Sequence, residues 1–367
     1  MKAILVLQNG SVYEGSSSGV SGERTGEVVL NTAVVGYQEM MTDPANAGKI
    51  LVLTYPLIGN YGTAKKFYES DKARVSGLVT KEVSRIYSNW QAEASLADFM
   101  KKEGLVGITD IDTRTLAVDI RDNGEMPGII STEDFDKESL LKKLKTRKIE
   151  SYIKEISVKK PTEFKVDNAK YNIGVLDLCM SKSFIKQLNV LGCNVMLLPY
   201  DTPAAKIMVL NFSGLVISNG PENDAALSEV AANIKNLIGK IPLMAISTGH
   251  QALGLALGAK LNKMKIGHHG VNYPVKSDDS FKGEITVQNH SYVVDDAGIK
   301  NNKDVKITLR NINDNTVEEM ESKALKFLSV QYYPSSPGFD EVNEAFKRFL
   351  NMIKPIKVTK GVQHAKA

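Results

Sequence analysis

Short unbroken apolar runs alternate with amphipathic stretches through the second half of the chain, from about Tyr171 onward. Apolar runs of this length are typical of strands that are buried on both faces of a parallel sheet. The amphipathic stretches have the spacing of helices that cover such a sheet. The pattern therefore predicts a parallel α/β domain. The predicted strands are residues 173–176, 195–198, 215–218, 243–246, 285–288, 305–309 and 327–330, and the predicted helices are residues 183–191, 225–238, 251–257 and 341–353.

The first part of the chain has a different, strand-rich pattern. Asn9-Gly10 lies between two short strand-like runs and predicts a hairpin turn near the start. Asp112 and Gly124 are suitable start and stop signals for one of two helices in this part. An irregular mixture of this kind predicts an α+β domain rather than regular strand–helix alternation. The predicted strands are residues 4–7, 12–14, 27–31, 50–54 and 75–79, and the predicted helices are residues 94–102 and 112–121.

These patterns divide the chain into four parts. Residues 1–134 are expected to form the α+β domain, and residues 171–355 the α/β domain. Lysine is dense between them, in residues 135–170, which favours a solvated helix followed by an interdomain linker. Residues 356–367 form a basic tail after Pro355, which ends the last predicted helix.

Composition limits the class of protein. The 367 residues are 43% hydrophobic and 24% charged, which is typical of a folded globular protein and excludes a disordered or collagen-like chain. The net charge of 46 − 42 = +4 is too small to indicate nucleic-acid binding. No apolar run approaches the roughly 20 residues that a membrane-spanning helix needs. Two cysteines, Cys179 and Cys193, make no disulfide framework, so we expect a reducing, cytoplasmic compartment.

The most specific chemical signal lies in residues 242–251. A buried strand there runs directly into a sharp turn at Ser247 and then into a helix. Ala245 and Gly249, two positions to either side, are small enough for such a turn. This arrangement is typical of a nucleophile elbow, in which a strained turn presents one side chain above the sheet near a helix N-terminus.

Together with this elbow, a series of motifs resembles the carbamoyl-phosphate synthetase small chain, a family of class I glutamine amidotransferases. The resemblance extends over nearly the whole chain. It implies an N-terminal domain of the β/β/α type that contacts a large subunit, followed by a flavodoxin-like glutamine amidotransferase domain. The motifs are Gly36-Tyr37-Gln38-Glu39, Thr42-Asp43-Pro44, Ser218-Asn219-Gly220-Pro221, Gly249-His250-Gln251, Gly267-His268-His269-Gly270 and Gln288-Asn289-His290.

The resemblance also implies a reaction. In the family a cysteine thiolate attacks the side-chain amide of glutamine, and a histidine oriented by a glutamate serves as base and then acid. Ammonia then passes to the large subunit, which makes carbamoyl phosphate from bicarbonate and ATP. ATP and Mg²⁺ therefore belong to that subunit, and we expect no cofactor in this chain. All three catalytic positions are substituted here, and they are Ser247, Tyr333 and Ser335.

These substitutions remove the chemistry that the family uses. A serine hydroxyl is a weaker nucleophile than a thiolate and needs an adjacent base. The Tyr333 phenol, with an ordinary pKa of about 10, does not accept a proton readily at neutral pH. We therefore expect Ser247 to be a small polar residue in a tight turn rather than a live nucleophile.

The family's glutamine-binding positions are only partly retained. Gly220, Gln251 and Asn289 match the family, whereas Ala45 replaces a serine. Glu222 replaces the second glycine of a Gly-Pro-Gly turn, where its carboxylate opposes a developing oxyanion. We interpret it as a solvated loop carboxylate rather than a site for a cationic ligand. The full set of expected binding positions is Ala45, Gly220, Glu222, Thr248, Gln251, Asn289, Ser291 and Tyr292.

The histidines offer no base at the family's position. His290 is a candidate for a substitute base, but a structural role for its side chain is the favoured interpretation. His268 and His269 match a histidine pair of the family and are interpreted as structural hydrogen-bonding residues. Because adjacent side chains on an extended segment point apart, we expect no metal site from these three histidines. Tyr333 and the neighbouring Tyr332 are expected to fill the former active site with aromatic side chains.

Three functions remain open at this point. The leading hypothesis is a small subunit of carbamoyl-phosphate synthetase that has lost or nearly lost glutamine hydrolysis. It would act as a structural or regulatory partner of an ammonia-using large subunit. The second is a functional glutamine-hydrolysing small chain. The third is an amide-binding sensor or non-catalytic paralogue, with glutamine as its ligand.

Overall fold

Two large β structures organise the computed structural model, which describes residues 1–146, 151–277, 280, 282–338 and 341–356. In the described residues the strands are β1 (Lys2–Leu7), β2 (Val12–Gly19), β3 (Glu23–Asn31), β4 (Lys49–Leu53), β5 (Leu57–Ile58), β6 (Gly77–Val79), β7 (Glu82–Val83), β8 (Val106–Thr109), β9 (Met126–Ser131), β10 (Thr162–Phe164), β11 (Tyr171–Asp177), β12 (Cys193–Pro199), β13 (Gly214–Ile217), β14 (Leu243–Ile246), β15 (Leu261–Ser277), β16 (Gly283–Val294), β17 (Lys306–Asn311), β18 (Val317–Ser322) and β19 (Phe327–Val330). The α-helices are α1 (Tyr37–Thr42), α2 (Leu96–Lys102), α3 (Thr113–Asn123), α4 (Lys137–Lys145), α5 (Tyr152–Ile156), α6 (Lys182–Val190), α7 (Ala204–Val209), α8 (Leu227–Lys235), α9 (Thr248–Ala256), α10 (Asp296–Lys300) and α11 (Glu344–Asn351).

The first β structure is a closed barrel with the strand order β1-β2-β8-β6-β4-β3-β9. β1 and β2 pair antiparallel across the Asn9-Gly10 turn, so the predicted hairpin is confirmed. The barrel closes because β9 hydrogen-bonds to both β1 and β3. Apolar side chains such as Leu5, Val28, Ile50 and Ile130 fill one core of this domain. The α+β pattern predicts strands here, but closure depends on pairings between distant strands that local patterns do not specify.

The second β structure is a ten-stranded sheet with the order β10-β12-β11-β13-β14-β19-β18-β17-β15-β16. Its central strands run parallel in the order β12-β11-β13-β14-β19. Numbered along the chain, this order is 2-1-3-4-5, which is that of flavodoxin-like folds. The predicted class, an α+β domain followed by a flavodoxin-like α/β domain, is therefore confirmed. One apolar cluster includes α6 and α11, and another includes α8 and α9.

Two strands, β15 and β18, lack the apolar pattern that predicts a strand. β15 carries Lys263, Lys265 and a pair of histidines, and many of its residues are exposed or half-buried. It is a strand because β16 pairs with it in antiparallel register from Leu261 to Lys276, with two register shifts. β18 contains Glu318, Glu319 and Glu321. β18 is nevertheless a strand, because it pairs with β17 and β19 and because its buried carboxylates have side-chain partners.

The segment predicted as a helix and linker also contributes to the α/β domain. α4 is the expected helix, and Leu140 and Leu144 bury its apolar face. α5 and β10 follow, and neither is predicted by the lysine-rich sequence. Ile153 of α5 is fully buried, and β10 pairs antiparallel with β12. α5 and β10 therefore pack with the second domain, whereas Leu140 and Leu144 of α4 pack against the barrel. The predicted basic tail beyond Ile356 lies outside the described residues.

The two domains meet where β3 and the start of β9 approach β15. The Lys263 ammonium donates to the carboxylate of Glu27, and the Glu125 N–H donates to the carbonyl of Lys265 at 2.9 Å. The Glu125 carboxylate accepts from the Gly267 N–H at 2.9 Å and lies 3.3 Å from His269 Nε2. Burial raises the pKa of Glu125, but His269 and the hydrogen-bond donors outweigh burial and lower it to about 2. The Glu125 carboxylate is therefore ionised at neutral pH, where it accepts a hydrogen bond across the domain boundary.

None of the helices in the described part of the chain is long and apolar enough to cross a membrane. Both cysteines, Cys179 and Cys193, are free and buried. Burial raises the pKa of Cys193 to about 12 and that of Cys179 well above its ordinary value. Neither thiol therefore presents a reactive thiolate at neutral pH.

Phe349 anchors α11 against the second sheet. Its ring is fully buried beside Gly214 of β13, where a Cβ atom would lie 2.7 Å from the ring. We expect Phe349→Ala to lower the free energy of unfolding by about 3–5 kcal/mol, because it opens a cavity in the core. Chemical denaturation followed by circular dichroism measures the change. Lys347→Ala, on the exposed face of the same helix, is the matched control and should change the free energy of unfolding by less than about 0.5 kcal/mol. Equal losses of stability in the two variants would contradict the role assigned to Phe349.

Candidate active site

Ser247 lies at the turn between β14 and α9, as the elbow pattern predicts. Its backbone has φ 53° and ψ −109°, a conformation that a residue with a side chain rarely adopts. Its N–H donates to the carbonyl of Val330 at 2.8 Å, which ties the turn to β19. Gly249 must be small, since a Cβ atom there would lie 2.3 Å from the carbonyl oxygen of Ile217. The backbone geometry of a nucleophile elbow is therefore present.

The Ser247 hydroxyl has no base beside it. Its Oγ is buried and makes no hydrogen bond within the described part of the chain. Tyr333, which the family resemblance matches to the catalytic histidine, donates its phenol O–H to Asp43 Oδ2 at 2.9 Å. Burial, followed by the charge of Asp43, raises the pKa of Tyr333 well above its ordinary value. The phenol therefore stays protonated and faces a carboxylate rather than the serine.

The hydrogen bonds that the structure describes for Ser335 are made by its backbone. Its N–H donates to the carbonyl of Tyr333 at 2.8 Å, and its carbonyl accepts from the Asn343 amide at 3.0 Å. A serine hydroxyl also lacks the negative charge with which a carboxylate orients and stabilises an imidazolium. Among the described residues, the three substituted positions form no hydrogen-bonded relay from nucleophile to base to carboxylate.

Three donors of the predicted pocket hold Glu222. Its Oε2 accepts from the Ser291 N–H at 2.7 Å, and its Oε1 accepts from the Tyr292 N–H at 3.2 Å and from Gln251 Nε2 at 2.6 Å. The Glu222 side chain is only 4% exposed, and Lys49 Nζ lies 3.7 Å from Oε2. The expectation of a solvated loop carboxylate is therefore wrong, because two successive N–H groups of β16 draw the side chain inward.

Asn289 and Asp43 connect this site with the N-terminal domain. The Asn289 amide donates to Asn46 Oδ1 at 3.0 Å and to the Tyr333 hydroxyl at 3.2 Å. Asp43 Oδ1 accepts from the Ala45 N–H at 3.0 Å. The Ala45 methyl is buried and belongs to the same apolar cluster as Tyr333. Burial raises the pKa of Asp43, although the hydrogen bonds that it accepts oppose this shift.

Gly220 and Thr248 fix the loop that faces the elbow. A Cβ atom on Gly220 would lie 1.8 Å from the carbonyl oxygen of Leu178, so only glycine fits there. The Thr248 hydroxyl donates to the Gly220 carbonyl. Backbone packing alone thus requires this glycine, whether or not the pocket binds a ligand.

A cavity of about 280 Å³ lies between the domains beside Tyr333. Three carboxylates line it, those of Glu39, Asp43 and Glu69, together with Ser335. Burial raises the pKa of all three, that of Glu69 to about 7. The described lining of this cavity contains no lysine or arginine, so it offers no cationic side chain to an anionic intermediate.

The antiparallel register of β15 and β16 places His268 opposite His290. With Glu318 of β18 they form a buried group whose potential ligand atoms lie within 4.8 Å of one another. The expectation that the histidines do not converge is therefore wrong for this pair, because it considered neighbours along one strand and not across two. Both Nε2 atoms already have protein partners, Asp314 Oδ2 at 2.9 Å and Gln288 Oε1 at 2.7 Å respectively. We assign no metal to this group.

Neither His250 nor His290 forms a hydrogen bond with Ser247 among the described residues. His250 Nδ1 lies 3.1 Å from Ser329 Oγ, and burial lowers the pKa of this histidine to about 3. His290 Nδ1 lies 3.1 Å from the carbonyl of Tyr292, and burial lowers its pKa well below the ordinary value. Both imidazoles are therefore neutral structural groups, and His290 is not positioned as a substitute base.

Asp43 and Lys49 are residues of the site that were not among the binding or catalytic positions expected from the sequence. Asp43 lies in the motif Thr42-Asp43-Pro44, but nothing along the chain links it to Tyr333. Lys49 begins β4, whose other residues are apolar and buried. A lysine in such a strand is a detectable signal, because a buried ammonium needs a compensating anion.

The fold and the elbow define the class of protein. Residues 174–352 match the family model described as "Glutamine amidotransferase class-I". Residues 5–130 match the model described as "Carbamoyl-phosphate synthase small chain, CPSase domain". The chain thus joins a class I glutamine amidotransferase domain to a small-chain domain.

Similar proteins from several bacteria match along nearly their whole length. The carbamoyl phosphate synthase small chain of Syntrophotalea carbinolica is 39% identical over 98% of this chain and 100% of its own. That of Akkermansia muciniphila is 39% identical over 97% and 99%, respectively. The pyrimidine-specific small chain of Bacillus subtilis is 38% identical over 96% of both chains. The chain belongs to the carbamoyl phosphate synthase small chain family.

His268 makes the stability of the second domain depend on pH. Burial lowers the pKa of this imidazole, but hydrogen bonds to Asp314 and Glu318 outweigh burial and raise it to about 9. A raised pKa stabilises the fold fully below the ordinary value of about 6.5, and this stabilisation is lost as pH rises through about 9. We expect this group to contribute up to about 3 kcal/mol to the free energy of unfolding at about pH 6 and little at about pH 10.

Chemical denaturation of the parent chain and His268→Asn at both pH values measures this contribution. The free-energy difference between them should be large at the lower pH and should shrink at the higher one. Asp314→Asn is a second variant, which keeps the imidazole but removes one of the carboxylates that raise its pKa. As the pH rises, the free energy of unfolding of this variant should therefore begin to fall at a lower pH than that of the parent. An identical pH dependence in the parent and His268→Asn would contradict the prediction.

Proposed function

We propose that this chain is a small subunit of carbamoyl phosphate synthase that has lost glutamine hydrolysis and acts as a structural or regulatory partner of a large subunit. That subunit would use free ammonia with bicarbonate and ATP, and it would hold the Mg²⁺. One observation carries the proposal. The Ser247 hydroxyl has no hydrogen-bond partner in the described part of the chain, while the phenol at the histidine position donates to Asp43.

Amide hydrolysis needs a nucleophile, a base that removes its proton and donors for the oxyanion. Ser247 supplies a weak nucleophile, and Tyr333 supplies no base. Loss of one member of such a coupled unit costs roughly 10⁶ in kcat, and loss of the others adds little. The buried Glu222 carboxylate further opposes the binding of a substrate and the development of negative charge near it.

An exposed apolar loop in the N-terminal domain supports the role of a binding partner. It follows β7 and presents Ile86, Tyr87 and Trp90, with 79%, 40% and 90% of their surfaces exposed. Lys66 Nζ lies 5.4 Å from the centre of the Trp90 ring. Exposed aromatic and apolar side chains of this kind are typical of the centres of protein–protein interfaces. We therefore place a contact with the large subunit on this loop.

Co-expression of the tagged chain with a carbamoyl phosphate synthase large subunit should yield a complex that elutes as one species in size-exclusion chromatography. Trp90→Ala should raise the dissociation constant by at least about tenfold, because a buried aromatic anchor commonly contributes 2 kcal/mol or more. Val209→Ala, at an exposed apolar position on α7 of the other domain, is the matched control and should bind as the parent does. A chain that remains free in the presence of the large subunit would refute the partner role.

Glutamine hydrolysis by the purified complex should not exceed that of the same complex with Ser247→Ala. Ser247→Cys should also remain inactive, because a thiol at this position still lacks a base. Coupled measurement of released ammonia tests both expectations. Turnover by the parent complex that Ser247→Ala abolishes would instead establish a functional glutamine-hydrolysing small chain.

A further inference from the structure

The contacts of Glu222 are those of a bound ligand rather than of an ordinary surface side chain. Each of its carboxylate oxygens accepts a hydrogen bond from one of two successive backbone N–H groups of β16, and a side-chain amide adds a third donor. Consecutive backbone donors aimed at one point are a common way in which proteins bind anions. Hydrogen bonds to an ionised acceptor are also stronger than those between neutral groups.

Lys49 supplies a second, independent sign of an anion site. Its side chain is 8% exposed, and its Nζ makes no hydrogen bond within the described residues. Glu222 Oε2, at 3.7 Å, is its ion-pair partner. An ammonium buried without an anion is strongly unfavourable. Lys49 reaches this point from the N-terminal barrel, so both domains contribute to the site.

The donors around Glu222 coincide with expected ligand-binding positions. Gln251, Ser291 and Tyr292 are three of the positions that the family resemblance assigns to glutamine. A cavity of about 330 Å³ adjoins them, lined among others by Lys49 and Tyr292. This volume is within the range of sites for small molecules. The Glu222 carboxylate thus occupies a place beside which a free amino acid has room to bind.

We propose that Glu222 is an internal ligand, whose side chain fills a carboxylate-binding site formed by the Ser291 and Tyr292 N–H groups, Gln251 and Lys49. Once vacated, this site accepts the carboxylate of a free α-amino acid. The inference rests on the proposed function, because the family resemblance behind that proposal assigns these positions to glutamine. A tethered group competes at a high effective concentration, so the intact chain excludes the free ligand.

Isothermal titration calorimetry of the full chain with L-glutamine tests the proposal. Glu222→Gly should bind L-glutamine at least about tenfold more tightly than the parent chain, because it frees three donors without filling the space. Glu229→Ala, at an exposed position of α8, is the matched control and should behave as the parent does. Equal binding by the parent and Glu222→Gly would overturn the proposal.

Glu222→Gly also removes the anion beside Lys49 and therefore destabilises the fold. Acetate should restore the melting temperature of this variant, whereas chloride at equal ionic strength should not. The double variant Glu222→Gly/Lys49→Gln removes the uncompensated cation and keeps the other three donors, so it should fold and still bind L-glutamine more tightly than the parent. Absence of both acetate rescue and glutamine binding in a folded double variant would overturn the proposal.

Complex formation with the large subunit is measured on the same variants. If Glu222→Gly or the double variant forms the complex but does not bind L-glutamine, the internal-ligand proposal fails and the partner role stands. Loss of complex formation in the parent chain, together with glutamine binding by the vacated site, would count against the partner role alone. The two proposals therefore fail in distinguishable ways.

Discussion

The sharp turn at Ser247 is the constraint on which the rest of the site depends. β14 is held parallel between β13 and β19, so the chain must reverse within one residue before α9 can pack on the sheet. A positive φ at a residue with a side chain costs about 1–3 kcal/mol, and this strain persists only where the surroundings impose it. Without the turn, α9 and the Gln251 amide would not reach Glu222. The elbow is therefore an element of the architecture of the site, independent of the chemistry of its side chain.

Several polar groups of this site are hydrogen-bonded to one another. Tyr333 donates to Asp43, and Glu222 accepts from β16 and Gln251, whereas Ser247 Oγ and Lys49 Nζ have no hydrogen-bond partner among the described residues. An unpaired buried polar group costs about 1–3 kcal/mol, so removal of a ligand or a catalytic side chain favours new partners within the protein. Tyr333 and Glu222 thus have their hydrogen-bond partners within the protein.

Local patterns predicted what depends on neighbours along the chain. The central strands follow from unbroken apolar runs, and the turn at Ser247 follows from small residues at fixed spacing. The contact between Tyr333 and Asp43 joins residues 290 positions apart, and it depends on how the two domains pack. The approach of His268 to His290 depends on the register of two strands, and the burial of Glu222 depends on backbone groups of β16. None of these three contacts can be predicted from the amino-acid composition.

β10 gives the segment between the domains a second role. This strand of three residues pairs with one side of β12, whose other side pairs with β11, and so it covers the outer edge of the parallel part of the sheet. An uncovered edge strand presents unpaired N–H and C=O groups to other molecules and promotes aggregation. The change in lysine content after residue 170 is thus a poor guide to where the chain can be divided into fragments. A fragment that began at Tyr171 would contain every strand of the flavodoxin-like core and would leave the outer side of β12 without its partner strand.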